Sequence, residues 1–414
     1  MQKIALVTVG DELLNGQTTD TNSVWLGSRL NDLGCKIYGR FSVGDIHDDI
    51  IDALDFAFAN ANIVIMTGGL GPTKDDITKK ALATYFNDTF VFDQGTYDRI
   101  VPYSEQTGRK PTEAHRLQCF MPSKADLILN ERGTAPGMWI EDDGRVLLSV
   151  PGVPTEMKGI FENRAFDRIA ARTPDFHILH HVIQTAGLGE TYIAERIESI
   201  TNNFPDHISI AYLPGMASVK LRLTAQGRDK IELQGQLQEI GASITNILGD
   251  AVYAIGKESI EKHVGKLALE KGLTFGSAES CTGGHISHMV TAVPGSSAYY
   301  KGSVIAYDNQ VKEHVLNVQK DTLLKYGAVS EATVKEMVKG GLDRIGTDLM
   351  IAVSGIAGPS GGSEEKPVGT IWVAVGNRDE VRTKKLRLSK NRILNIKYAS
   401  MLALNELRLF MKMM

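Results

Sequence analysis

Ser280 stands in the run Ala278-Glu279-Ser280-Cys281-Thr282-Gly283-Gly284, between a short apolar stretch and a helical pattern. A hydroxyl placed where a strand opens into a helix faces backbone N–H groups that attract anions and can form an oxyanion hole. Serine is a useful nucleophile only beside a base. No histidine accompanies Ser280 in a hydrolase order, and Gly-x-Ser-x-Gly is absent. Lys312, 32 residues further on, follows a strand at 302–307 and the turn Asp308-Asn309. A lysine whose pKa is lowered by burial or by cationic neighbours acts as a general base, and Tyr307 is placed to orient or relay that proton. The competing reading makes Ser280 a helix cap and Lys312 an exposed helical lysine; the residues alone leave both open. His285 and His288 lie three apart on one helix, but two ligands do not close a zinc site, and packing or surface histidines are commoner.

A second constellation lies near the start. Gly10-Asp11-Glu12 follows an apolar strand, and Thr67-Gly68-Gly69-Leu70-Gly71-Pro72-Thr73 follows another. Gly68, Gly69 and Gly71 would let backbone approach a pyrophosphate, while Glu12, Asp75 and Asp76 offer hard oxygen ligands for Mg²⁺ held together with substrate phosphates. The loop lacks Gly-x-x-x-x-Gly-Lys-Ser/Thr and is no Walker motif. Asp75 and Asp76 also have an ordinary explanation, since acids in a first helical turn gain about 0.3–1 kcal/mol from the helix dipole.

The elements needed to hold these groups follow from hydrophobic periodicity. In residues 1–170 the spacing predicts a strand at Ile4–Val9, a helix from Thr21 to Leu33, a strand at 35–43, a helix at 47–60, a strand at 62–66 and a helix through Phe86. Alternating strands and helices imply a mostly parallel sheet, with ligands beyond the carboxyl ends of its strands. Residues 175–255 read as strand 178–185, helix 189–201, strands 207–213 and 217–226, helix 229–247 and strand 250–255, the order of a ferredoxin-like α+β unit. That block has no nucleophile, base or glycine loop, which points to a linking or dimerising role. Residues 258–414 return to α/β, with a helix at 260–271, a strand into Ser280, a helix at 284–292 and a strand at 349–353 into Ser354-Gly355-Ile356-Ala357-Gly358. Two small-residue loops after two apolar strands frame one phosphate-sized pocket.

Composition sets the outer limits. The 414 residues exceed one ordinary domain, and 43% hydrophobic with 23% charged residues excludes wholesale disorder. A net charge of −4 gives no strong nucleic-acid signal. Seven basic and no acidic residues between Arg382 and Lys397 form a local exception, most of which alternates as a solvated strand face. Cys35, Cys119 and Cys281 make no disulfide framework, the opening apolar run is too short for a signal peptide, and no stretch of about 18 apolar residues occurs. The expectation is a cytoplasmic protein with no membrane contact.

The motifs together resemble the CinA family. Ala278–Gly284, Pro294-Gly295-Ser296-Ser297, Gly327-Ala328-Val329-Ser330, Gly355–Pro359 and Glu365-Lys366-Pro367-Val368-Gly369-Thr370 are similar to the signature of its C-terminal domain. Gly10–Leu14, Gly68–Thr78 and Val150-Pro151-Gly152-Val153-Pro154 resemble its molybdopterin-binding-like amino-terminal domain. The resemblance implies an α/β sandwich, a small α+β middle domain and an α/β amidase domain. It implies deamidation of nicotinamide mononucleotide by Ser280, with Lys312 as base, Tyr307 assisting and no cofactor. Glu279, Thr282, Gly283, Gly284, Ser297, Ser354, Gly355, Gly358 and Arg392 would bind substrate, Arg392 through phosphate or carboxylate. The family more often has threonine at Ser354 and an apolar residue at His285. For the first domain it implies a pyrophosphatase cleaving ADP-ribose to AMP and ribose 5-phosphate with Mg, Mn or Co. There Gly68, Gly69, Gly71 and Thr73 would bind substrate, and Glu12, Asp45, Asp75 and Asp76 would hold the metal, with Asp11 and Asn22 as further candidates. Related domains bind molybdopterin without turnover. A homodimer is expected, and the family's competence-related name leaves a DNA-uptake role as a third reading.

Overall fold

The computed structural model describes residues 2–71, 77–106, 113–173 and 176–414. The chain divides into two compact units, one formed by Met1–Leu179 with Ala225–Gln234 and the other by His180–Thr224 with Gly235–Met414.

The amino-terminal sheet contains β1 (Lys3–Val9), β2 (Lys36–Val43) and β3 (Ile63–Thr67). A separate antiparallel pair follows, β4 (Phe90–Phe92) with β5 (Phe120–Pro122). The main sheet is completed by β6 (Asp126–Ile128), β7 (Gly137–Asp142) and β8 (Arg145–Val150), in the order β2-β1-β3-β8-β7-β6. β1, β2, β3 and β8 are parallel, whereas β7 and β6 join antiparallel. β3 reads Ile-Val-Ile-Met-Thr and is buried throughout, as a strand covered on both faces must be. Two cores flank it, one around Leu54, Leu82 and Met66, the other around Leu26, Leu30 and Phe161. Successive crossovers from β1 lead to β2 on one side and to β3 on the other, so the crevice at the carboxyl ends of β1 and β3 is a topological switch point.

The middle segment folds as β9 (His177–Ala186), a helix Glu190–Thr201, β10 (Ile208–Gly215), β11 (Ser218–Gly227), a helix Lys230–Leu248 and β12 (Val252–Ile255). The sheet order β10-β11-β9-β12 is that of the expected ferredoxin-like unit. In β11, Val219, Leu221, Leu223 and Ala225 are buried and alternate with exposed Lys220 and Arg222.

The carboxyl-terminal sheet comprises β13 (Phe275–Glu279), β14 (Tyr300–Ile305), β15 (Leu349–Gly355), β16 (Thr370–Gly376) and β17 (Val381–Arg387), ordered β14-β13-β15-β16-β17. The first three strands in this order are parallel; β16 runs antiparallel to β15, and β17 antiparallel to β16. One face packs on Val264, Ala268, Leu404 and Leu407 from the helices Ile260–Glu270 and Arg392–Met413; the other packs on Leu316, Val334 and Val338 from Asn309–Leu316 and Glu331–Ile345. β13 is again flanked by β14 and β15 on opposite sides, which opens a crevice where Ser280 and Ser354 stand. The α/β class and three-part architecture are as expected. Two details differ: β14 starts at Tyr300 rather than 302, and the two sheets carry four antiparallel pairings that alternation alone did not specify. Among the described residues no helix is long and apolar enough to cross a membrane.

Candidate active site

Ser280, Cys281, Tyr307, Asn309, Lys312, Ala328, Val329, Ser354, Gly355, Ala357 and Arg392 line one cavity of about 170 Å³. Lys312 is the unusual member. Its side chain is 1% exposed, and its Nζ donates to the carbonyl oxygens of Ala306 at 2.8 Å and Tyr307 at 3.2 Å. Burial lowers its pKa from the ordinary lysine value, with Asp308 and Cys281 acting in the opposite direction. A neutral amine has two N–H bonds and one lone pair. Donating both hydrogens to the two carbonyls leaves the lone pair free, the state a general base needs. Asp308 fixes the surrounding turn by capping the helix Asn309–Leu316 through Gln310 N.

The turn after β13 is built by Glu279. Its carboxylate is fully buried and accepts from Gly284 N at 3.0 Å, Ile286 N at 3.1 Å and Ser287 N at 2.9 Å, with Ser277 Oγ donating at 3.1 Å. The expectation that Glu279 touches substrate is therefore corrected: it occupies the first N–H groups of the helix His285–Thr291 and fixes the Ser280 turn from behind. Gly283 and Gly284 sit at φ +59° and +94°, where a side chain would be strained. With Gly283 N bonded to Ser280 O and His285 N to Thr282 O, the remaining turn N–H groups without a backbone acceptor are those of Cys281 and Thr282. Cys281 is no rival nucleophile, because burial pushes its thiol up to about 12.

The other expected residues separate clearly. Ser354 is 1% exposed and donates to Ala328 O at 2.7 Å, which ties the Gly327–Ser330 loop to the end of β15. Arg392 opens the helix Arg392–Met413 and donates to Gly358 O at 3.0 Å and Tyr307 Oη at 2.9 Å. The Tyr307 hydroxyl is thus engaged by Arg392 and not by Lys312, a departure from the expected proton relay. Gly358 contributes its carbonyl to Arg392 and is not itself a lining residue. Ser297 lies in the turn before β14, at the amino-terminal end of the sheet, exposed and away from the cavity. Thr282, Gly283 and Gly284 line a neighbouring hollow on the far side of the turn. Asn309, Ala328 and Val329 were not foreseen as lining residues; the capping Asp308 and the Gly327 loop were their only signals.

In the amino-terminal unit, Val9, Gly10, Glu12, Asp45, Gly68, Gly69, Leu70 and Gly71 join Gln118, Thr134, Gly152 and Glu156 around a hollow of about 550 Å³. Asp11 and Asp45 cross-bond through each other's backbone N–H at 3.1 and 3.2 Å. Asn22 donates to Thr67 Oγ1 and Gly152 O, which makes it a strut between loops. Thr73, Asp75 and Asp76 lie outside the described residues. Among the described residues no group of three His, Cys, Asp or Glu could hold a metal; Glu12 and Asp45 reach the hollow, and Glu156 joins them unforeseen. Glu156 accepts from Asn130 Nδ2 at 2.6 Å.

Two α/β domains with switch-point crevices, one enclosing a buried serine–lysine pair, define a multi-domain protein of the type the signature motifs suggested. Family models agree along the chain: a probable molybdopterin binding domain at residues 5–171, a damage-inducible protein CinA KH domain at 180–254 and a CinA C-terminal domain at 257–411. A CinA-like protein of Cytophaga hutchinsonii is 44% identical over 97% of this chain and 96% of its own length, and one of Salinibacter ruber is 38% identical over 98% of each. A crystal structure of a CinA superfamily protein from Klebsiella pneumoniae is 33% identical over 37% of this chain and 97% of that chain, with a TM-score of 0.37. The chain belongs to the CinA family.

Proposed function

We propose that the carboxyl-terminal domain is a nicotinamide-nucleotide amidase, converting nicotinamide mononucleotide to nicotinate mononucleotide and ammonia. The observation that carries this reading is the buried Lys312 amine, held by two carbonyls, on a residue that lines the same cavity as Ser280. Ser280 Oγ attacks the carboxamide carbon while its proton passes to Lys312 Nζ. The N–H groups of Cys281 and Thr282 stabilise the oxyanion. Collapse breaks the C–N bond, and Lys312 returns the proton to the departing ammonia. Water, deprotonated by the same amine, then hydrolyses the acyl ester. Arg392 orients Tyr307 and completes the cavity wall. An assay of ammonia and nicotinate mononucleotide with the purified full chain tests the reading; no product at any pH would remove it.

For the amino-terminal domain we propose a divalent-metal-dependent pyrophosphatase acting on ADP-ribose, supported by the glycine-lined hollow that Glu12 and Asp45 reach. Those carboxylates suit Mg²⁺ or Mn²⁺, which keep waters and share phosphate oxygens, and Co²⁺ is also expected to work. The metal would neutralise the pyrophosphate, while Gly68 and Gly69 admit its oxygens close to the backbone. The alternative is a nucleotide- or molybdopterin-binding regulatory domain. Incubation with ADP-ribose and each metal decides: AMP formation supports hydrolysis, and tight binding without turnover supports the alternative. A nucleic-acid role has less support, because residues 180–254 lack the Gly-x-x-Gly that clamps phosphates in KH modules.

A further inference from the structure

The helix Arg392–Met413 has two unlike ends. Arg392, Ile393 and Leu394 in its first turn are exposed, yet this end holds the wall of the catalytic cavity together. Arg392 donates to Tyr307 Oη and Gly358 O, and Asn395 Nδ2 donates to Ala357 O at 2.9 Å and Ser389 O at 2.7 Å. Tyr307, Ala357 and Arg392 all line the cavity. Further along, every residue from Ala399 to Asn405 is buried. A helical stretch enclosed on all sides takes its position from the neighbours packed around it.

Those neighbours include the middle segment. Ala186 at the end of β9 and Tyr253 in β12 share one apolar core with Val264, Leu404 and Leu407. Arg408 closes the contact. It is 1% exposed, and its three hydrogen bonds go to neutral oxygens: Asn405 Oδ1 at 3.0 Å, Val252 O at 3.3 Å and Asp250 O. Both carbonyls lie just beyond the helix Lys230–Leu248, at the negative end of its dipole, where a cation is favoured. A guanidinium this deeply buried is costly unless its donors are met, so Arg408 is at home only with the middle segment in place. Resting on the amidase reading above, we infer that Arg408 is a positioning residue for the amidase site: anchored on the middle segment, it fixes where along its own axis the helix sits. At about 1.5 Å per residue the anchor lies about 24 Å from Arg392, and the buried stretch between them carries the setting to the exposed first turn. Arg392 and Asn395 then meet Tyr307, Gly358 and Ala357 in register. The middle segment is thereby a working part of the amidase and not a passive linker.

The test uses the full-length protein and two readouts. Amide hydrogen exchange followed by mass spectrometry needs no catalytic activity, and the amides of β13 serve as the reference for global opening. Relative to that reference, residues 395–398 should exchange at least tenfold faster in Arg408→Met than in the parent. Asn405→Ala, which removes only the acceptor of Arg408 Nε, should show the same change at severalfold size, and it decides the question if Arg408→Met does not fold. Lys412→Met, which breaks only the exposed pair with Asp250, should leave 395–398 unchanged. In parallel, KM for nicotinamide mononucleotide should rise severalfold more than kcat falls in Arg408→Met and Asn405→Ala. Faster exchange confined to 249–256 and 405–413, or KM and kcat changing in equal proportion, would make Arg408 a local structural contact and overturn the assignment. If the parent protein does not deamidate the substrate, the amidase reading fails, and exchange at 395–398 alone then decides for or against the positioning role.

Discussion

The Nζ of Lys312 lies 2.8 Å from the carbonyl oxygen of Ala306, the residue that follows β14, and this bond fixes a buried side chain that lines the same cavity as Ser280. Ala306 is itself tied back to the sheet, its N–H donating to Glu279 O at 2.8 Å. Lys312 and Ser280 are therefore referenced to adjacent strands of one sheet, the rigid placement that the proposed proton transfer requires.

Replacing Lys312 with methionine keeps the buried stem and removes the amine. The rate should fall by roughly 10²–10⁴, the usual worth of a general base, with the fold retained by circular dichroism. A variant within twofold of the parent would exclude Lys312 as the base.

The lowered pKa of Lys312 sets the sign of two pH effects. Activity should rise with pH as the amine loses its proton, on a limb below the ordinary lysine value of 10.5. Between the depressed folded value and 10.5, the unfolded chain binds more protons, so stability also rises with pH across that window. Both slopes should disappear in Lys312→Met. Persistence of the activity limb in a residually active variant would assign it to another group.

Tyr307→Phe separates two roles. Because the hydroxyl pairs with Arg392, its loss should free the guanidinium and raise KM severalfold more than it lowers kcat. A hundredfold drop in kcat at constant KM would restore the proton relay to Tyr307.

Glu279→Gln should act on stability before chemistry. An amide set against the N–H groups of Gly284, Ile286 and Ser287 leaves at least one of them unpaired, at a cost of roughly 1–3 kcal/mol. For a domain of this size that lowers Tm by about 2–4 °C per kcal/mol, read by calorimetry without substrate. An unchanged transition would contradict the role assigned to the carboxylate.

Arg408 and Lys412 make a contrasting pair near the end of the chain. Arg408 is 1% exposed and donates to the carbonyls of Asp250 and Val252, whereas Lys412 forms an exposed ion pair with Asp250. Arg408→Met should cost roughly 1–3 kcal/mol for each stranded carbonyl. Lys412→Met should cost about 1 kcal/mol or less, as exposed pairs do. Equal losses in denaturant melts would show that burial is not the deciding factor.

Period and punctuation made much of this architecture readable in advance. Gly34 ended the first long helix near its observed Asp32 terminus, and the alternation around Val219 located β11 and its buried face. Ser280, Lys312, Ser354 and Arg392 converge because each lies in the last residues of a strand, just after one or in the first turn of a helix at one end of the sheet, which is where open α/β sheets bind ligands. What stayed hidden depends on long-range pairing. Glu279 has the sequence position of a substrate ligand, yet its partners are backbone groups five to eight residues on. Ser297 has a motif's composition but precedes its strand instead of following it. Glu156 enters the amino-terminal hollow from a helix 111 residues beyond Asp45, beyond the reach of local periodicity.

The most direct measurement compares the parent protein, Ser280→Ala and Lys312→Met in one assay of ammonia released from nicotinamide mononucleotide, with each variant's fold verified beforehand. The parent should release ammonia and nicotinate mononucleotide in equal amounts, Ser280→Ala should fall to background, and Lys312→Met should retain no more than about one part in a hundred. Parent-like release by both folded variants would contradict the serine–lysine mechanism.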